Sequence, residues 1–275
     1  MAHYPKISVV TVCFNAEKEI EETILSVVDQ TYDNIEYIII DGVSTDGTVD
    51  IIKKYAEGGS EYGKHNHNIT YWKSEPDKGI YDAMNKGIDL ATGDYINFMN
   101  AGDCFYTNNV LFKLYNNHIN TDIIYGNVVN KTNFGNYGIK PKPLGSFKYT
   151  LPFSHQSVFV KSELLKSNKF NILYKSSADF DQLLKLYKEN YKFHYVDLNI
   201  AIVDLRKGMS KDNYLRISMY EQGRILGIDK TFCFKLNCLK TIIKININTL
   251  IKKLLPKKIL LYMMKIYKKK SLIEV

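Results

Sequence analysis

Four apolar runs rich in β-branched residues begin 26 to 34 residues apart in the first hundred residues, and this spacing constrains the fold more than any other feature. The runs cover residues 7–13, 35–41, 69–73 and 95–100. Strands at this distance leave room for one helix in each gap, which is the spacing of βαβ units. Near-continuous apolar strands that alternate with helices predict a parallel sheet covered by helices on both faces.

The gaps between these runs carry the period of amphipathic helices. Apolar residues recur at helical spacing in the first gap at Ile20, Ile24, Val27 and Val28, and in the third gap at Ile80, Met84, Ile88 and Ala91. Asn15 is placed to cap the first of these helices, and Glu17 and Glu19 stand where acidic side chains favour a first turn.

Polar residues follow each of the four predicted strands. They are Asn15, Asp41, the segment 75–77 and the segment 100–103. In a parallel sheet these positions share the carboxyl edge, where ligands of open α/β sheets bind. Loops after strands are polar in any case, but Asp41 ends an apolar strand, where a carboxylate is unfavourable to bury without a partner. We therefore expect a ligand site at this edge.

Asp103, just beyond the fourth run, is a hard oxygen ligand of the kind that Mg²⁺ or Mn²⁺ uses when it neutralises a diphosphate. Neither a Gly-x-Gly-x-x-Gly fingerprint nor a Gly-x₄-Gly-Lys-[Ser/Thr] loop occurs in the chain, which argues against a nicotinamide enzyme and a P-loop ATPase. Segment 41–47 also fails the calcium-loop pattern, because Val43 and Thr45 stand where oxygen ligands are needed. The sequence therefore predicts phosphate chemistry of another type.

The second half of the chain has a looser pattern. A strand is predicted at residues 122–129, and the Gly-, Asn-, Lys- and Pro-rich segment 131–148 is predicted to be a mobile loop of the kind that forms lids. A short strand, a helix that begins near Asp179 and strands near residues 193–205 are predicted to follow.

The chain has 275 residues, 45% apolar and 24% charged, which is enough for one large domain or one domain with a tail. Its four cysteines lack the spacing of a zinc site, so we expect reduced thiols and a cytosolic compartment. The chain opens without an apolar signal segment, and its apolar runs are shorter than the roughly 18 residues of a membrane span. We therefore expect neither secretion nor a full membrane span.

The net charge of +8 is unevenly distributed. Residues 230–275 contain 12 lysines against one acid, Glu274, which leaves a charge of −3 for residues 1–229. Nucleic-acid binders usually carry their basic residues on the folded reading surface, so no nucleic-acid partner is expected. We predict a folded unit at residues 1–229 and a basic tail at residues 230–275.

Three segments together resemble family 2 glycosyltransferases. They are Ile-Ser-Val-Val-Thr-Val-Cys-Phe-Asn at residues 7–15, Ile-Ile-Ile-Asp-Gly-Val-Ser-Thr-Asp-Gly-Thr at residues 38–48, and residues 77–103, within a similarity that covers roughly residues 5–210. The resemblance implies a GT-A fold, an α/β fold with a mostly parallel sheet flanked by helices. It also implies a nucleotide-diphosphate sugar donor, Mn²⁺ or Mg²⁺, and inversion at the anomeric carbon. Residues 1–104 would be the nucleotide-sugar-binding half and residues 105–229 the acceptor half.

The resemblance also assigns site residues position by position. Along the nucleoside it places Thr11, Cys13, Asn15 and Glu17, with Asp41 bonded to the base and Ser44 and Asp46 beside it. On the donor side it places Asp77, Lys78, Tyr81, Asp82 and Asn85. Asn100, Ala101, Gly102 and Asp103 stand where the family usually has Asp-x-Asp, with Asp103 as the metal ligand. Asp179 stands at the catalytic base, His155 and Gln156 on the acceptor side, and Arg206, Lys207 and Ser210 in a loop that closes over the diphosphate.

Several of these residues have a structural alternative. One of Ser44, Thr45 and Asp46 could cap the following helix, and residues 100–103 could form a simple turn. Lys78 and Lys86 could be solvated charges, the loop of Arg206 could be solvated as well, and a lone histidine is more often a structural residue.

Asp179 has an alternative of its own. It could be a first-turn carboxylate with Ser176 as the cap, which would lower its pKa, whereas partial burial would raise it. Asp181 is not expected to serve the same site, because positions i and i+2 do not share a helix face.

The tail has the pattern of an amphipathic helix. Apolar residues on one helical face are Ile259, Leu260, Met263, Met264 and Tyr267, and other positions hold Lys257, Lys258, Lys265, Lys268 and Lys269. This pattern fits a helix that lies on an anionic membrane, and the alternative is a helix packed on the domain with its lysines in water. We expect a cytoplasmic protein bound peripherally to the inner face of the cell membrane.

These observations predict an inverting transferase for bacterial surface-polysaccharide assembly. It would move a hexose or N-acetylhexosamine from a nucleotide-diphosphate sugar, with a UDP-sugar as the expected donor, to a sugar hydroxyl of a lipid-linked or oligosaccharide acceptor. Two alternatives stay open. One is a sugar nucleotidyltransferase, and the other is a non-catalytic subunit that binds a nucleotide sugar or a membrane.

Overall fold

The computed structural model of the chain describes residues 4–57, 67–115, 121–132, 135–205 and 211–254. The strands in these residues are β1 (Ile7–Cys13), β2 (Ile35–Asp41), β3 (Tyr71–Ser74), β4 (Tyr95–Phe98), β5 (Asp103–Phe105), β6 (Ile123–Thr132), β7 (Gly135–Ile139), β8 (Val158–Lys161) and β9 (Phe193–Asp204). The α-helices are α1 (Ile20–Val28), α2 (Thr48–Glu57), α3 (Ile80–Leu90), α4 (Val110–Tyr115), α5 (Ser162–Ser167), α6 (Ala178–Lys188), α7 (Lys211–Ile225) and α8 (Phe232–Leu254). The strands form one sheet in the order β3-β2-β1-β4-β8-β6-β9-β5, with β7 paired to β6.

The first half of the sheet is the predicted parallel unit. Strands β3, β2, β1 and β4 are neighbours in the sheet and run in the same direction. The bounds of β1 and β2 are those predicted, whereas β3 begins at Tyr71 and β4 ends at Phe98. Cys13 pairs with Asp41 in the register, so the two central strands end at the same level.

The second half of the sheet is mixed. β8 runs antiparallel to β4 and to β6, β9 runs parallel to β6, and β5 runs antiparallel to β9. Because β8 is antiparallel to β4, the residues that precede β8 lie beside the carboxyl end of β4. This arrangement brings His155 and Gln156 to the same edge of the sheet as Asp103.

The sheet separates two apolar cores. On one face Val9 of β1 belongs to the core that contains Ile24 of α1, and on the other face Val10 belongs to the core that contains Ile88 of α3. All four of these side chains are fully buried. Leu183 of α6 lies in the same core as Ile88, so α6 covers the same face as α3.

Two predictions about local structure are wrong. The predicted mobile loop at residues 131–148 contains β7, which pairs with β6, and a 3₁₀ turn, Leu144–Lys148, whose Phe147 is fully buried. Asn15 does not cap α1, because that helix begins five residues later at Ile20. Asn15 instead takes a left-handed backbone conformation with φ 49°, which asparagine adopts more readily than most residues.

A satisfied polar network closes the amino edge of the parallel sheet. Glu36 accepts hydrogen bonds from Lys6 Nζ (2.8 Å), Ser8 Oγ (2.5 Å) and the backbone amide of Thr92 (2.7 Å). Burial alone would raise the pKa of Glu36, but these donors lower it to about 2. The buried charge at this edge therefore has a structural explanation.

Helices α7 and α8 form a hairpin, and α7 packs against the start of α6. The ring of Phe234 in α8 lies against Gly223 in α7, and Arg216 donates a hydrogen bond to Asn246 across the pair (2.7 Å). None of the helices in the described ranges combines the length and the apolar character that crossing a membrane requires. All four cysteines are free thiols.

Candidate active site

Backbone hydrogen bonds bring three loops together at the carboxyl edge of β1. Val12 O accepts from Ala101 N (3.2 Å) in the loop after β4, and Cys13 O accepts from Gly42 N (2.9 Å) in the loop after β2. Glu75 N, after β3, donates to Asp41 O (2.9 Å). The polar segments that follow the four parallel strands therefore share one edge of the sheet.

Asp41 is the centre of the first polar cluster at this edge. Its carboxylate accepts hydrogen bonds from Ser74 Oγ (2.6 Å), from Ser44 N (3.0 Å) and from Ser44 Oγ (2.5 Å). These donors are the partners that a buried carboxylate requires, since Asp41 has no exposed surface. Its contact with a nucleotide base stays a prediction, and in this arrangement Asp41 fixes the loops that surround it.

The loop after β1 is attached to the loop after β2 through Asn15. Asn15 N donates to Ser44 Oγ (2.8 Å), and Asn15 Oδ1 accepts from Thr45 N (2.8 Å). Both loops are therefore held in one conformation, although Asn15 itself is exposed. This is the role that replaces the predicted helix cap.

Asp46 orients the start of α2, as one of the structural alternatives predicts. Its carboxylate accepts from Thr48 N (3.1 Å), the first residue of α2, and from Glu17 N (3.1 Å). The side chain of Glu17 lies against Gly47, where any larger residue would meet it. Glu17 therefore lies beside this loop, while its contact with a nucleoside stays a prediction.

Three of the predicted ligand residues make contacts within the protein scaffold. Thr11 is fully buried and donates to Met99 O (2.7 Å), and its contact with a nucleoside stays a prediction. Asn85 Nδ2 donates to Phe170 O and Asn85 Oδ1 accepts from Phe170 N, at 2.9 Å each, and its contact with the sugar donor stays a prediction. Cys13 is 7% exposed, its Sγ lies 3.5 Å from Asp41 Oδ1, and burial raises the pKa of its thiol.

The tight turn before α3 presents Asp77 and Lys78. Asp77 Oδ1 accepts from Gly79 N (2.8 Å), and Lys78 N donates to Asp82 Oδ2 (3.0 Å). Gly79 has φ 116°, a conformation that only glycine adopts readily. The side chain of Lys78 is exposed, and the carboxylate of Asp77 lies beside Gly42. This turn therefore places a carboxylate and an ammonium group next to the Asp41 cluster.

Residues 100–103 form a turn at the end of β4. Asp103 N donates to Asn100 O (2.9 Å), and Gly102 has φ 98°, as the third position of a type II turn requires. Gly102 N donates to Thr23 Oγ1 (2.9 Å), which ties the turn to α1. The turn predicted as the structural alternative is present, and it leaves the side chains of Asn100 and Asp103 close to the residues before β8.

The carboxylate of Asp103 has few donors for its degree of burial. Its Oδ2 accepts from Gln156 Nε2 (2.8 Å). Burial raises the pKa of Asp103 to about 6, although Gln156 and His155 act in the opposite direction. A nearby cation would offset this unfavourable burial of charge.

Asn100 supplies a second oxygen at the same turn. Its Oδ1 is buried and has no hydrogen-bond partner in the described part of the chain. A carboxylate with a raised pKa and a buried oxygen without a donor are the hard ligands that Mg²⁺ and Mn²⁺ accept. The described residues contain no group of three or more His, Cys, Asp or Glu side chains placed for a metal. Asn100 and Asp103 therefore fit a cation whose other ligands are phosphate and water oxygens.

His155 links this turn to the predicted base. Its Nε2 lies 3.3 Å from Asn100 Nδ2, and its Nδ1 lies 3.5 Å from Asp179 Oδ2. Burial would lower the pKa of His155, but the carboxylates of Asp179 and Asp103 raise it above its ordinary value. Since Gln156 bonds to Asp103, the pair His155-Gln156 joins the two acids in one cluster.

Asp179 faces the cluster from the first turn of α6. Its Oδ1 accepts from Tyr81 OH (3.2 Å), so α3 also reaches it. Asp181 pairs instead with Lys185 (2.7 Å) on another face of α6, as the helical geometry predicts. Behind Asp179 and His155 lies a cavity of about 20 Å³, lined mostly by apolar side chains such as Phe98 and Leu183, with room for about one water molecule.

Two features of the site escape the sequence patterns. Phe14 is 62% exposed in the loop after β1, and its ring lies near Gly42, the residue after Asp41. An aromatic residue directly after a buried strand is the only sequence signal for it.

Lys86 is not a solvated charge, because it donates to Pro76 O (2.7 Å) and holds the loop before α3. The predicted residues Arg206, Lys207 and Ser210 lie outside the described residues.

Solved structures with this architecture are GT-A glycosyltransferases. The TarS 1–349 structure from S. aureus in complex with UDP has a TM-score of 0.60 and 20% identity, and the similarity covers 82% of this chain and 65% of that chain. The mannosyltransferase PcManGT from Pyrobaculum calidifontis, in complex with GDP-Man and Mn²⁺, has a TM-score of 0.60 and 18% identity, covering 97% of this chain and 81% of that one. At these identities the similarity establishes the GT-A fold.

Residues 8–179 match the model of glycosyl transferase family 2, and the chain belongs to that family. A PGL/p-HBAD biosynthesis glycosyltransferase of Mycobacterium tuberculosis is 31% identical over 183 residues, which are 64% of this chain and 68% of that protein. An uncharacterized glycosyltransferase of Methanocaldococcus jannaschii is 27% identical over 224 residues, 77% of this chain and 73% of that protein. The protein is therefore a glycosyltransferase.

Proposed function

We propose that this enzyme transfers a hexose or N-acetylhexosamine, with inversion, from a UDP-sugar to a sugar hydroxyl of a lipid-linked or oligosaccharide acceptor. The observation that carries the proposal is the single cluster formed by Asp103, Gln156, His155 and Asp179. One end of this cluster suits a diphosphate with its cation, and the other end suits an acceptor hydroxyl. A transferase must hold the diphosphate and the acceptor hydroxyl no further apart than the length of one bound donor.

The donor would bind along the carboxyl edge of β2, β1 and β4. Phe14 offers an exposed aromatic face for the base, and Ser44 and Asp77 offer polar groups beside it. Lys78, exposed at the start of α3, is placed for the diphosphate. UDP is the expected nucleotide, and the TarS complexes with UDP and UDP-GlcNAc support it, while the GDP-Man complex of PcManGT makes GDP-sugars the necessary comparison.

The reaction exchanges one bond to the anomeric carbon for another. The acceptor oxygen attacks that carbon from the face opposite the diphosphate, the bond from carbon to phosphate oxygen breaks, and its electron pair leaves with the nucleoside diphosphate. Asp179 takes the proton from the acceptor hydroxyl, while His155 and Tyr81 hold its carboxylate in place. Bound to Asp103 and Asn100, Mn²⁺ or Mg²⁺ would neutralise the charge that develops on the diphosphate.

The two rival functions are less well supported. A sugar nucleotidyltransferase would consume a nucleoside triphosphate and a sugar phosphate, and membership of family 2 argues against it. A non-catalytic subunit would not need a carboxylate held between a histidine and a tyrosine at the donor edge. Neither rival explains the joint arrangement of Asp103 and Asp179.

Nucleotide release tests the proposal directly. The full chain is incubated with Mn²⁺ and single nucleotide sugars, UDP-linked and GDP-linked, with and without a lipid-linked oligosaccharide. We expect UDP release that the acceptor accelerates, together with a product of opposite anomeric configuration. Pyrophosphate release from UTP and a sugar phosphate would establish the nucleotidyltransferase, and binding of a donor without turnover under any condition would establish the non-catalytic subunit.

Gly42 provides a test of the donor edge. An added Cβ at Gly42 would lie 2.5 Å from Asp77 Oδ2, so Asp77 would have to rotate and lose its bond to Gly79. A displaced Asp77 could no longer bind the donor, and a hydrogen bond to a charged group contributes about 1.5–3 kcal/mol. We therefore expect Gly42→Ala to raise the KM for the donor about tenfold. Gly145→Ala is the control, since nothing lies within 4 Å of an added Cβ there. Equal donor KM values in the two variants would remove Asp77 from the donor site.

We also propose that the basic tail contacts an anionic membrane, where a lipid-linked acceptor would be found. The name of the mycobacterial relative, which refers to PGL/p-HBAD biosynthesis, is compatible with a lipid-linked acceptor in that protein. The residues predicted to make this contact, 257–269, lie outside the described residues. Helix α8, which precedes them, carries a further surface with exposed apolar and basic residues.

The exposed side of α8 is apolar and free of acidic residues. Phe234 and Cys238 face α7, whereas the opposite side exposes Phe232, Leu236, Leu239, Ile243, Ile247 and Leu250. At about 100° per residue these six positions form one stripe along the helix. Lys235 and Lys240 are exposed on its two sides, and residues 230–254 contain six lysines and no acid. Such a surface fits an interface rich in anionic lipid.

Vesicle binding tests the α8 surface. Leu239→Glu should lower the partition of the full chain onto phosphatidylglycerol vesicles about tenfold, because an apolar side chain worth about 1.5 kcal/mol or more of burial is lost and a negative charge is added. Asn237→Glu adds the same charge at an exposed position off the stripe and should have a much smaller effect. Identical partition of both variants, or binding that salt does not weaken, would refute the membrane proposal.

A further inference from the structure

Helix α7 lies beyond residues 8–179, the part that matches the family, and it binds the segment that leads into Asp179. Glu221 is 9% exposed, and its carboxylate accepts hydrogen bonds from two backbone amides. It accepts from Lys175 N (2.7 Å) and from Ser176 N (2.9 Å). These residues stand two and three positions before the first residue of α6.

A second contact comes from the same face of α7. Together with the bonds of Glu221 to Lys175 and Ser176 it forms what we call the α7 clamp. Ser218, one turn before Glu221, lies 3.2 Å from Ser177 through their hydroxyl groups. Helix α7 thus contacts Lys175, Ser176 and Ser177, which are the three consecutive residues before α6. Two backbone amides and one hydroxyl group at the entry to α6 are therefore held from outside the family-matched region.

The start of α6 depends on this clamp because it has no cap of its own. Ser177 occupies the N-cap position, and its side chain makes no capping hydrogen bond. The first-turn amides that a cap would orient are therefore not fixed by the local sequence. Asp179 lies in that first turn, so a change in the entry direction moves its carboxylate away from His155 and Tyr81.

The distances in the cluster leave little room for such a movement. Asp179 lies 3.5 Å from His155 Nδ1 and 3.2 Å from Tyr81 OH, so a shift of the helix start by about 1 Å breaks one contact or the other. A misplacement of that size in a catalytic group lowers the rate by about a hundredfold.

We infer that Glu221 is a positioning residue for Asp179, and that α7 is therefore part of the catalytic unit. The inference rests on the proposed role of Asp179 as the base. It predicts that the chain loses turnover when the α7 clamp is broken, even though none of the described side chains of α7 contacts the donor edge.

The experiment is a double-mutant cycle on the full chain. Glu221→Gln replaces one acceptor oxygen with a donor group that cannot pair with an amide N–H, and Ser218→Ala removes the weaker contact alone. We expect Glu221→Gln to lower kcat at least about tenfold with the affinity for UDP-sugar unchanged within about twofold, and Ser218→Ala to lower kcat less. Melting temperatures, measured alongside, define assay conditions in which every variant is folded. Arg216→Ala, which breaks a contact between α7 and α8 only, is the control and should leave kcat unchanged.

The cycle with Asp179→Asn separates this inference from the proposed function. If Glu221 acts through Asp179, Glu221→Gln has no further effect on the residual rate of Asp179→Asn. Equal proportional losses in both backgrounds, or a native kcat in folded Glu221→Gln, would overturn the inference and leave Asp179 as the base. A native rate in Asp179→Asn itself would instead overturn the proposed base. If Glu221→Gln does not fold, the same cycle with Ser218→Ala decides between these outcomes.

Discussion

Asp179→Asn is expected to lower kcat by about 10²- to 10⁴-fold, the range that a general base contributes, while the affinity for the donor changes little. The amide keeps the shape of the side chain and its hydrogen bond with Tyr81, but it cannot accept the proton of an acceptor hydroxyl. The hydrogen bonds described for Asp41 and Asp77 do not involve Asp179, so the geometry of these two residues should be unaffected. Binding and turnover should therefore separate in this variant.

Asp181→Asn is the matched control for this experiment. Asp181 lies in the same turn of α6, carries the same charge and pairs with Lys185 on a face directed away from the cluster. We expect a nearly native rate from it, with at most a small loss of stability. Initial rates with saturating acceptor, together with titration of UDP-sugar binding, give the comparison. Equal losses in the two variants would show that the charge of the helix start matters rather than a base at position 179.

The main elements could be predicted because they depend on local patterns. Strands β1 and β2 are uninterrupted apolar runs, and their predicted bounds agree with the structure residue for residue. Strand β7 was missed because its sequence, Gly-Asn-Tyr-Gly-Ile, has neither an apolar run nor a regular alternation. It exists because β6 offers it an edge, and that is a tertiary effect.

Side-chain direction could not be predicted in the same way. Thr11 and Asn85 are polar residues in motifs that bind ligands in the family, but each is used by the scaffold. The sequence does not reveal that Thr11 binds Met99 O or that Asn85 binds the backbone of Phe170. The role of a polar residue inside a strand or helix is therefore ambiguous until its neighbours are known.

The contacts within the site depend on the chain topology. His155 reaches Asp179 because β8 runs antiparallel to β4, and Glu221 reaches Lys175 because α7 returns to the start of α6. Neither pairing has a local signature. The sequence could place Asp103 and Asp179 in one reaction, but only the fold shows how they are joined.

Two acids at opposite edges of the sheet, Glu36 and the half-buried Asp103, illustrate how a candidate functional carboxylate differs from a structural one. Glu36, at the amino edge, has its donors within the protein, and its pKa is lowered to about 2. Asp103, at the carboxyl edge, accepts from Gln156 but has fewer donors than Glu36, and burial raises its pKa to about 6. An ionised Asp103 in this environment does not stabilise the protein. A cation that binds Asp103 would explain why the carboxylate is placed there.

Asp103→Asn should therefore have opposite effects on activity and on the stability of the metal-free protein. Because the folded pKa of Asp103 lies above its ordinary value of 3.8, its favourable contribution is complete below about pH 3.8 and is lost as the pH rises through about 6. At pH 7.5 the buried charge is unfavourable, so the neutral amide should raise the melting temperature or leave it unchanged. Turnover with Mn²⁺ should fall about a hundredfold or more, since a metal supplies several kcal/mol of charge stabilisation.

The metal readout makes this prediction specific to a cation. With UDP present, Mn²⁺ should raise the melting temperature of the native protein, and the rise should shrink as the pH is lowered below about 6, where Asp103 becomes protonated. Asp103→Asn should lose the rise at every pH. Asp197→Asn replaces an exposed acid that pairs with Lys140 and should keep it. A native Mn²⁺ response in Asp103→Asn would exclude Asp103 as the metal ligand, because no other acid contributes to the turn that holds Asn100.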